Sequence, residues 1–234
     1  MIMRLGDKMA KITTFLKENR NNIIFYLSGI ICLGFAVNIV KASALGSGAW
    51  DTVTINIRDF FNINLGIDWI TLGMVSFSVS LIIMMIVLIY RKKIKYLLMI
   101  LPIFLVALSI DFWNLVVFKD YEANVFIIRL IFYIIGIFSI PLGLSLVVKS
   151  SFPAFVFDEW MLMMVKVLKA KKITYVRLSI EILGILIGVV FGYLVYYQID
   201  GSLGAVNIGS LIISVAISPL MSLYFRFLKI KTGS

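Results

Sequence analysis

The chain has 234 residues, of which 62% are hydrophobic and 15% are charged, and its formal net charge is +10. Soluble domains are nearer half apolar and a quarter charged, so this composition excludes an ordinary soluble protein and predicts one that lies in a lipid bilayer. The sequence has no histidine and one cysteine, Cys32. These counts exclude an intramolecular disulfide, Cys-rich or His-ligated metal sites, and Ser-His or Cys-His nucleophile pairs. We expect no enzyme activity, no cofactor, no metal and no nucleic-acid partner.

Taken in chain order, residues 1–21 predict a cytoplasmic amphipathic segment and no cleavable signal peptide. Six apolar runs follow, and each is long enough to cross a bilayer as a helix of about 20 residues. We place these spans at 22–45, 67–90, 96–118, 125–148, 174–197 and 206–228. Residues 22–228 therefore form a single transmembrane domain, and residues 229–234 form a cytoplasmic tail.

Basic residues fall almost entirely on one side of the predicted spans, because sixteen lie on the side of the N-terminus and three on the other. Cytoplasmic segments carry an excess of Lys and Arg, so this asymmetry predicts six spans with both termini inside. The three on the outer side are Lys41, Arg58 and Lys119.

Two connections are too long to be plain loops, and they follow the first and the fourth spans, at 46–66 and 149–173. Each begins with small residues or proline and continues into a partly amphipathic stretch, WDTVTINIRDFF in the first and DEWMLMMVKVLK in the second. Such a stretch is typical of a helix on the membrane surface or of a broken, re-entrant helix. Both interpretations stay open for the first connection, and the lysines of the second favour the surface.

An internal repeat links the two halves of the chain, repeat one at 22–118 and repeat two at 125–228. A shift of 107 residues aligns 25–51 with 132–158 without a gap, and seven of the 27 positions are identical. Shared apolar composition gives roughly two or three matches. Each half has three spans, an odd number, so the halves cross the membrane in opposite directions. The sequence thus predicts two inverted three-helix repeats, which is a common plan of transporters.

Short motifs after the first span and on the last span carry a resemblance to a known family. They comprise Gly46, Gly48, Ala49, Trp50 and Asp51, together with Gly209-Ser210 and Ser218-Pro219. The chain resembles the YczE/YyaS/YitT-type bacterial integral membrane proteins, in which Pro-Trp-Asp follows the first span and Gly-Thr and Gly-Pro lie on the last. The resemblance implies a bacterial plasma-membrane protein of transporter-like architecture and names no substrate. The second-half motif, FPAFVFDE, departs from the family pattern.

Acids at membrane depth are costly and are therefore candidates for function. Asp51 and Asp158 occupy equivalent positions of the repeat, and their alternative role is to cap the helices that follow them. The candidate substrate or ion site is completed by residues beside the two motifs and by one acid late in the third span. These are Ser43, Gly46, Gly48, Trp50, Glu159 and Asp111. Asp111 either lines a cavity or reaches outward to the membrane boundary.

Two further patterns lie on the fifth span. Arg177 and Glu181 are four residues apart and predict an ion pair within the helix. Gly184, Gly188 and Gly192 recur every four residues, and this spacing favours close helix packing between spans or between protomers.

The function predicted first is a small-solute transporter for a polar solute or a cation, with Asp51 and Asp158 as proton or ion sites. The alternatives are an accessory protein that regulates a membrane partner and a substrate-binding subunit of a larger transporter. The expected partners are the lipid bilayer, the solute and a second copy or another membrane protein.

Overall fold

The computed structural model describes residues 17–153, 155–170 and 173–230. These residues form eight α-helices and no strands. The helices are α1 (Arg20–Ser43), α2 (Ala49–Asp59), α3 (Leu72–Arg91), α4 (Ile100–Asp111), α5 (Phe126–Lys149), α6 (Val156–Val167), α7 (Ile173–Tyr196) and α8 (Ile208–Phe227). Most of the predicted N-terminal segment and the last four residues of the predicted tail lie outside the described residues.

All six predicted spans are confirmed as helices that are long and apolar enough to cross a membrane. Five of them are α1, α3, α5, α7 and α8. The third span runs continuously over Ile94–Phe118, where α4 is preceded by a 3₁₀ turn and followed by π-helical residues Phe112–Phe118. The chain is therefore an integral membrane protein whose apolar helices lie in a lipid bilayer.

Helices α1 and α5 make the most extensive contact in the bundle, and their contacts are reciprocal. Gly29 of α1 packs against Val147, and Gly136 of α5 packs against Val40. The two pairs are equivalent under the offset of 107 residues, because Gly29 corresponds to Gly136 and Val40 corresponds to Val147. The Cys32 thiol of α1 donates to the carbonyl of Ser139 in α5 at 3.4 Å. These two residues are also 107 positions apart and therefore equivalent.

The ends of α1 and α5 are also closed in the same way. The Ser43 hydroxyl donates to the carbonyl of Val40 at 2.6 Å, and the Ser150 hydroxyl donates to that of Val147 at 2.6 Å. After α1 the chain turns sharply at Gly46, whose φ of +116° is reached readily only by glycine. A Cβ at this position would also lie 2.7 Å from the backbone nitrogen of Ser210, so the turn is held tightly against the start of α8.

The helix after the first span, α2, is buried in the bundle, so the surface alternative is wrong for this connection. It packs along the glycine face of α7, where Gly184 lies against Ala49 and Gly188 against Thr52. Gly184 is at the middle of α7, so α2 begins about halfway along that span. Asn56, fully buried, donates to the carbonyls of Gly188 at 2.8 Å and of the loop before α8 at 3.1 Å.

The helix after the fourth span, α6, packs against α3 and α7. Its Val156, Trp160 and Met163 are buried in a cluster with apolar residues of these spans, whereas Lys166 near its end is exposed. The favoured surface interpretation therefore fits only the last part of this helix. Amphipathic composition did not distinguish the cases, because a helix buried against other helices on one side has the same pattern as a surface helix.

Candidate functional site

The starts of α2 and α6 meet inside the bundle at a cavity of about 190 Å³, here called the acidic cavity. Its walls come from both short helices and from spans α1, α3, α4, α5, α7 and α8. The polar or charged side chains that line it are Asp51, Asp158, Glu181, Arg177, Ser76, Ser80 and the indole of Trp50. Most of the remaining lining is apolar, so charged groups face one another in a largely apolar space.

Asp51 and Asp158 are placed in the same way on their two helices. Each is the third residue of its helix, after the N-cap residues Gly48 and Phe155 respectively. Neither helix has a side-chain hydrogen bond at its N-cap, so the capping interpretation describes neither aspartate. Acids in the first turn still interact favourably with the helix dipole, which stabilises both positions for a negative charge.

The second-repeat span α7 adds a carboxylate and a guanidinium to the cavity. The Glu181 carboxylate accepts from the Ser214 hydroxyl at 3.5 Å, and the Arg177 guanidinium lies 3.7 Å from the Met221 sulfur. The ion pairs found among the described residues do not include Arg177 with Glu181. The predicted intrahelical pair is therefore wrong as a contact, because both side chains turn toward the cavity and α8.

Aromatic rings stack at the junction of the two short helices. The Trp50 ring lies 5.0 Å from that of Phe157, its equivalent in the repeat, and 5.4 Å from that of Trp160. The Trp50 indole nitrogen is buried without a hydrogen-bond partner in the described part of the chain. The junction of the two short helices thus contains a buried donor that no described residue satisfies.

Comparison with known proteins identifies a family. The model of a family of unknown function, DUF6198, matches residues 20–226. The chain belongs to this family. No curated protein and no solved structure matches the chain. The resemblance to YczE/YyaS/YitT-type proteins stays a prediction.

The region that defines DUF6198 membership contains every residue of the acidic cavity and both short helices. It also covers both predicted repeats almost completely. The cavity is therefore part of the family's region and not of an appended segment.

Four other predicted site residues lie away from the cavity lining. Ser43 is fully buried and closes the end of α1, and Gly46 forms the turn that follows. Glu159 forms an ion pair with Arg91 at 3.6 Å. Asp111 accepts from the Thr71 hydroxyl at 2.7 Å and from the backbone of α3's second residue at 2.6 Å, so it stabilises the start of α3 from a neighbouring span.

A second polar cluster, not anticipated from the sequence, lies at the other end of α2 and is here called the Asp120 network. Asp120 accepts from Lys41 at 2.5 Å and from Arg58 at 2.7 Å. Arg58 also pairs with Asp59, whose second oxygen accepts from the Tyr196 hydroxyl at 2.7 Å. The network ties α1, α2, α7 and the loop after the third span together. The one sequence feature that indicated this network is the predicted location of Lys41 and Arg58 on the same side of the membrane.

No group of three or more Asp, Glu, Cys or His side chains within the described ranges is arranged to hold a metal ion.

Proposed function

We propose that the protein is a small-solute membrane transporter, in which Asp51 and Asp158 are the proton or ion sites. The observation that carries the proposal is the convergence of these two acids, each on the third residue of a short helix, on one cavity inside the bundle. Interrupted helices that meet near the middle of the membrane form the substrate site of many secondary transporters.

The inverted-repeat architecture is part of this proposal. It is supported by the reciprocal contacts of Gly29 with Val147 and of Gly136 with Val40, and by the stacking of Trp50 on its equivalent, Phe157. An axis that exchanges the two halves relates such contacts in the way a two-fold axis relates the subunits of a dimer. Because each half has three spans, that axis lies in the plane of the membrane.

The short helices also cross between the halves, since α2 of the first repeat packs on α7 and α6 of the second packs on α3. Each repeat therefore holds the broken segment of the other. A rocking motion of one repeat against the other would open the cavity alternately to the two sides, as alternating access requires.

We place the protein in the bacterial plasma membrane with both termini in the cytoplasm, on the basis of the basic residues and the resemblance. The end of the bundle that carries the Asp120 network then faces outward.

The glycine face of α7 is covered by α2 within the same chain, so it does not supply a surface for a dimer or an accessory partner. This feature and the open cavity favour transport over a regulatory role.

Conservative substitution of the two aspartates tests the proposal. The purified protein is reconstituted into liposomes that contain a pH-sensitive dye, and gradients of small cationic, zwitterionic and anionic solutes are applied. We expect at least one class to drive proton or solute movement with the wild-type protein. Asp51→Asn and Asp158→Asn keep the side-chain shape and remove the charge, so each should abolish this movement without lowering Tm by more than a few degrees.

The matched control is Asp68→Asn, which alters an exposed loop carboxylate away from the cavity. It should behave as the wild type in both assays. Full transport by the Asp51→Asn/Asp158→Asn double variant would contradict the assignment of these acids. Absence of movement for all three solute classes with wild-type protein would contradict the transporter itself.

A further inference from the structure

The charges of the acidic cavity do not balance within the protein. Three carboxylates, those of Asp51, Asp158 and Glu181, share the lining with one guanidinium, that of Arg177. No hydrogen bond or ion pair joins either aspartate carboxylate to a described residue, and the Glu181 carboxylate accepts only a long bond from Ser214. Buried carboxylates without a neutralising partner are costly, so a cavity of this kind takes up positive charge from outside the protein.

The single guanidinium is not shared equally among the three acids. Arg177 acts electrostatically on Asp158 and on Glu181 in its own helix. The charged group that acts on Asp51 is Glu181, which carries the same sign. Asp51 is therefore the acid of the cavity on which no cation of the described residues acts, and it lies on the side of the cavity that is formed by α2 and α7.

The remaining surface of the cavity fixes the chemistry of the cation. Opposite the acids, α1, α4, α5 and α8 contribute aliphatic side chains, which are those of Leu33, Val37, Val106, Ile110, Leu144 and Ile217. The rings of Trp50 and Phe157 adjoin the same space, and aromatic faces attract organic cations. The site thus fits a small ligand with one cationic end and one aliphatic end.

We propose that the acidic cavity binds a small aliphatic ammonium ion between Asp51 and Glu181 in exchange for a proton. This inference rests on the proposed function and names its substrate class. When the cavity holds no substrate, one of the two carboxylates carries a proton. The ammonium ion displaces it and donates its N–H groups to the same oxygens, so one positive charge enters and one leaves.

The other groups that face this pair set the conditions of the exchange. Asp158 and Arg177 also face the cavity without a direct ion pair, and Ser76 and Ser80 of α3 contribute hydroxyls to its lining. Exchange of one proton per cation makes the apparent Kd for the ammonium ion tenfold lower for each unit rise in pH, as long as the pair is protonated in the empty cavity.

Binding of n-butylamine to the full chain in detergent tests the proposal, because this amine is protonated across pH 6–8 as lysine is. Isothermal titration in two buffers of different ionisation enthalpy measures both Kd and the number of protons released. We expect release of one proton per butylammonium bound. We also expect binding at least tenfold weaker for 1-butanol and for butyrate, which match the probe in size and differ in charge.

Asp51→Asn and Glu181→Gln should each weaken butylammonium binding at least tenfold and abolish proton release, with unchanged size-exclusion profiles. The matched controls, Asp68→Asn and Glu122→Gln, remove exposed carboxylates and should leave both quantities as in the wild type. Equal binding of butanol, binding without proton release, or equal effects of the control variants would overturn the proposal. So would absence of butylammonium binding to the wild-type protein.

Proteoliposome assays separate this inference from the proposed function. Butylammonium that binds with proton release and is not carried across the bilayer would leave the cavity assignment standing and contradict transport. A different solute that is transported, in a protein that does not bind butylammonium, would leave transport standing and overturn the ammonium assignment. Butylammonium uptake that is driven by an opposite proton gradient, and lost in Asp51→Asn, is the result expected if both are correct.

Discussion

At the scale of single residues, the Asp120 network shows how a half-exposed carboxylate neutralises cations that are largely buried. Lys41 is 7% exposed, and an unpaired ammonium in such a place is costly. Asp120 lies outside the spans and accepts from both Lys41 and Arg58. Burial by itself would raise the pKa of Asp120, but the hydrogen bonds and charges of Lys41 and Arg58 lower it to about 2.

This lowered pKa predicts a loss of stability in acid. A carboxylate whose pKa is lower in the folded state stabilises the fold above its ordinary value near 4, and this contribution disappears as the pH falls toward about 2. Asp120→Asn should therefore reduce the free energy of unfolding by roughly 0.5–1.5 kcal/mol at pH 7, because Lys41 and Arg58 lose a charged acceptor that solvent partly screens. The measurement is Tm in detergent between pH 2 and pH 7.

The variant should also be less sensitive to acid than the wild type, so the two Tm curves should converge toward pH 2. Asp68→Asn, which changes an exposed carboxylate outside the network, should run parallel to the wild type. Parallel curves for Asp120→Asn would show that this residue does not carry the pH dependence.

At the scale of elements, the decisive contact is that of α2 with the glycine face of α7. Close approach of the two backbones brings Asn56 within hydrogen-bond distance of the Gly188 carbonyl, at 2.8 Å. A Cβ at Gly188 would collide with the hydroxyl of Thr52, whereas a Cβ at Gly184 would lie 3.2 Å from the backbone of Ala49. The glycines therefore set the depth at which α2 enters the bundle, and with it the position of Asp51.

Substitutions on this face should follow the available space. Gly188→Leu should unfold the protein or lower Tm strongly, because a large side chain separates α2 from α7. Gly188→Ala should be milder and should be partly rescued by Thr52→Ala, which removes the colliding hydroxyl. A double-mutant cycle of Tm values measures this coupling, which we expect to be at least about 0.5 kcal/mol.

Gly184→Ala provides the comparison on the same face, and Thr52→Ala should not rescue it, because Ala49 and not Thr52 lies nearest to that position. Additive effects of Gly188→Ala and Thr52→Ala, or a Gly188→Leu protein with unchanged Tm, would be incompatible with the packing described.

At the scale of the whole molecule, several contacts recur in the two halves of the chain, whereas the charges do not. The contacts between α1 and α5 and the first turns of α2 and α6 repeat across the two halves. The charges of α7 are not repeated in the other half. The polar residues that α3 contributes to the cavity are Ser76 and Ser80, whereas α7 contributes Arg177 and Glu181. In the proposed inverted arrangement, the two halves would exchange their ends during transport, and the unequal charges of the cavity would keep one orientation of a ligand.

The proposed orientation predicts which positions are accessible from outside intact cells. In a Cys32→Ser background, single cysteines at Glu122 and Ser202 should react with a membrane-impermeant maleimide, and cysteines at Lys93 and Lys169 should react only after the membrane is opened. All four positions are exposed in the structure, so differences in reaction report the side of the membrane. Labelling of Lys169→Cys from outside would contradict both the orientation and the inverted arrangement of the repeats.

The sequence by itself determined the number of the spans, because the length of an apolar run is a local property and the bilayer sets the same requirement for each run. It placed their limits less closely, since the second span is predicted from residue 67 and begins at Leu72. The offset of 107 residues likewise singled out Asp51 and Asp158 as equivalent. The glycine spacing on α7 predicted close packing. It did not identify α2 as the partner, since the pattern describes one surface only.

Only the tertiary structure decided which acids share a site. Glu181 joins Asp51 in the acidic cavity, whereas Asp111 caps α3 and Glu159 pairs with Arg91. In the sequence all of these are acids in or beside apolar runs, and their roles differ through contacts with segments that are distant along the chain. For the same reason the sequence does not decide whether α2 is buried: an amphipathic pattern specifies that one face is covered, and not whether lipid or another helix covers it.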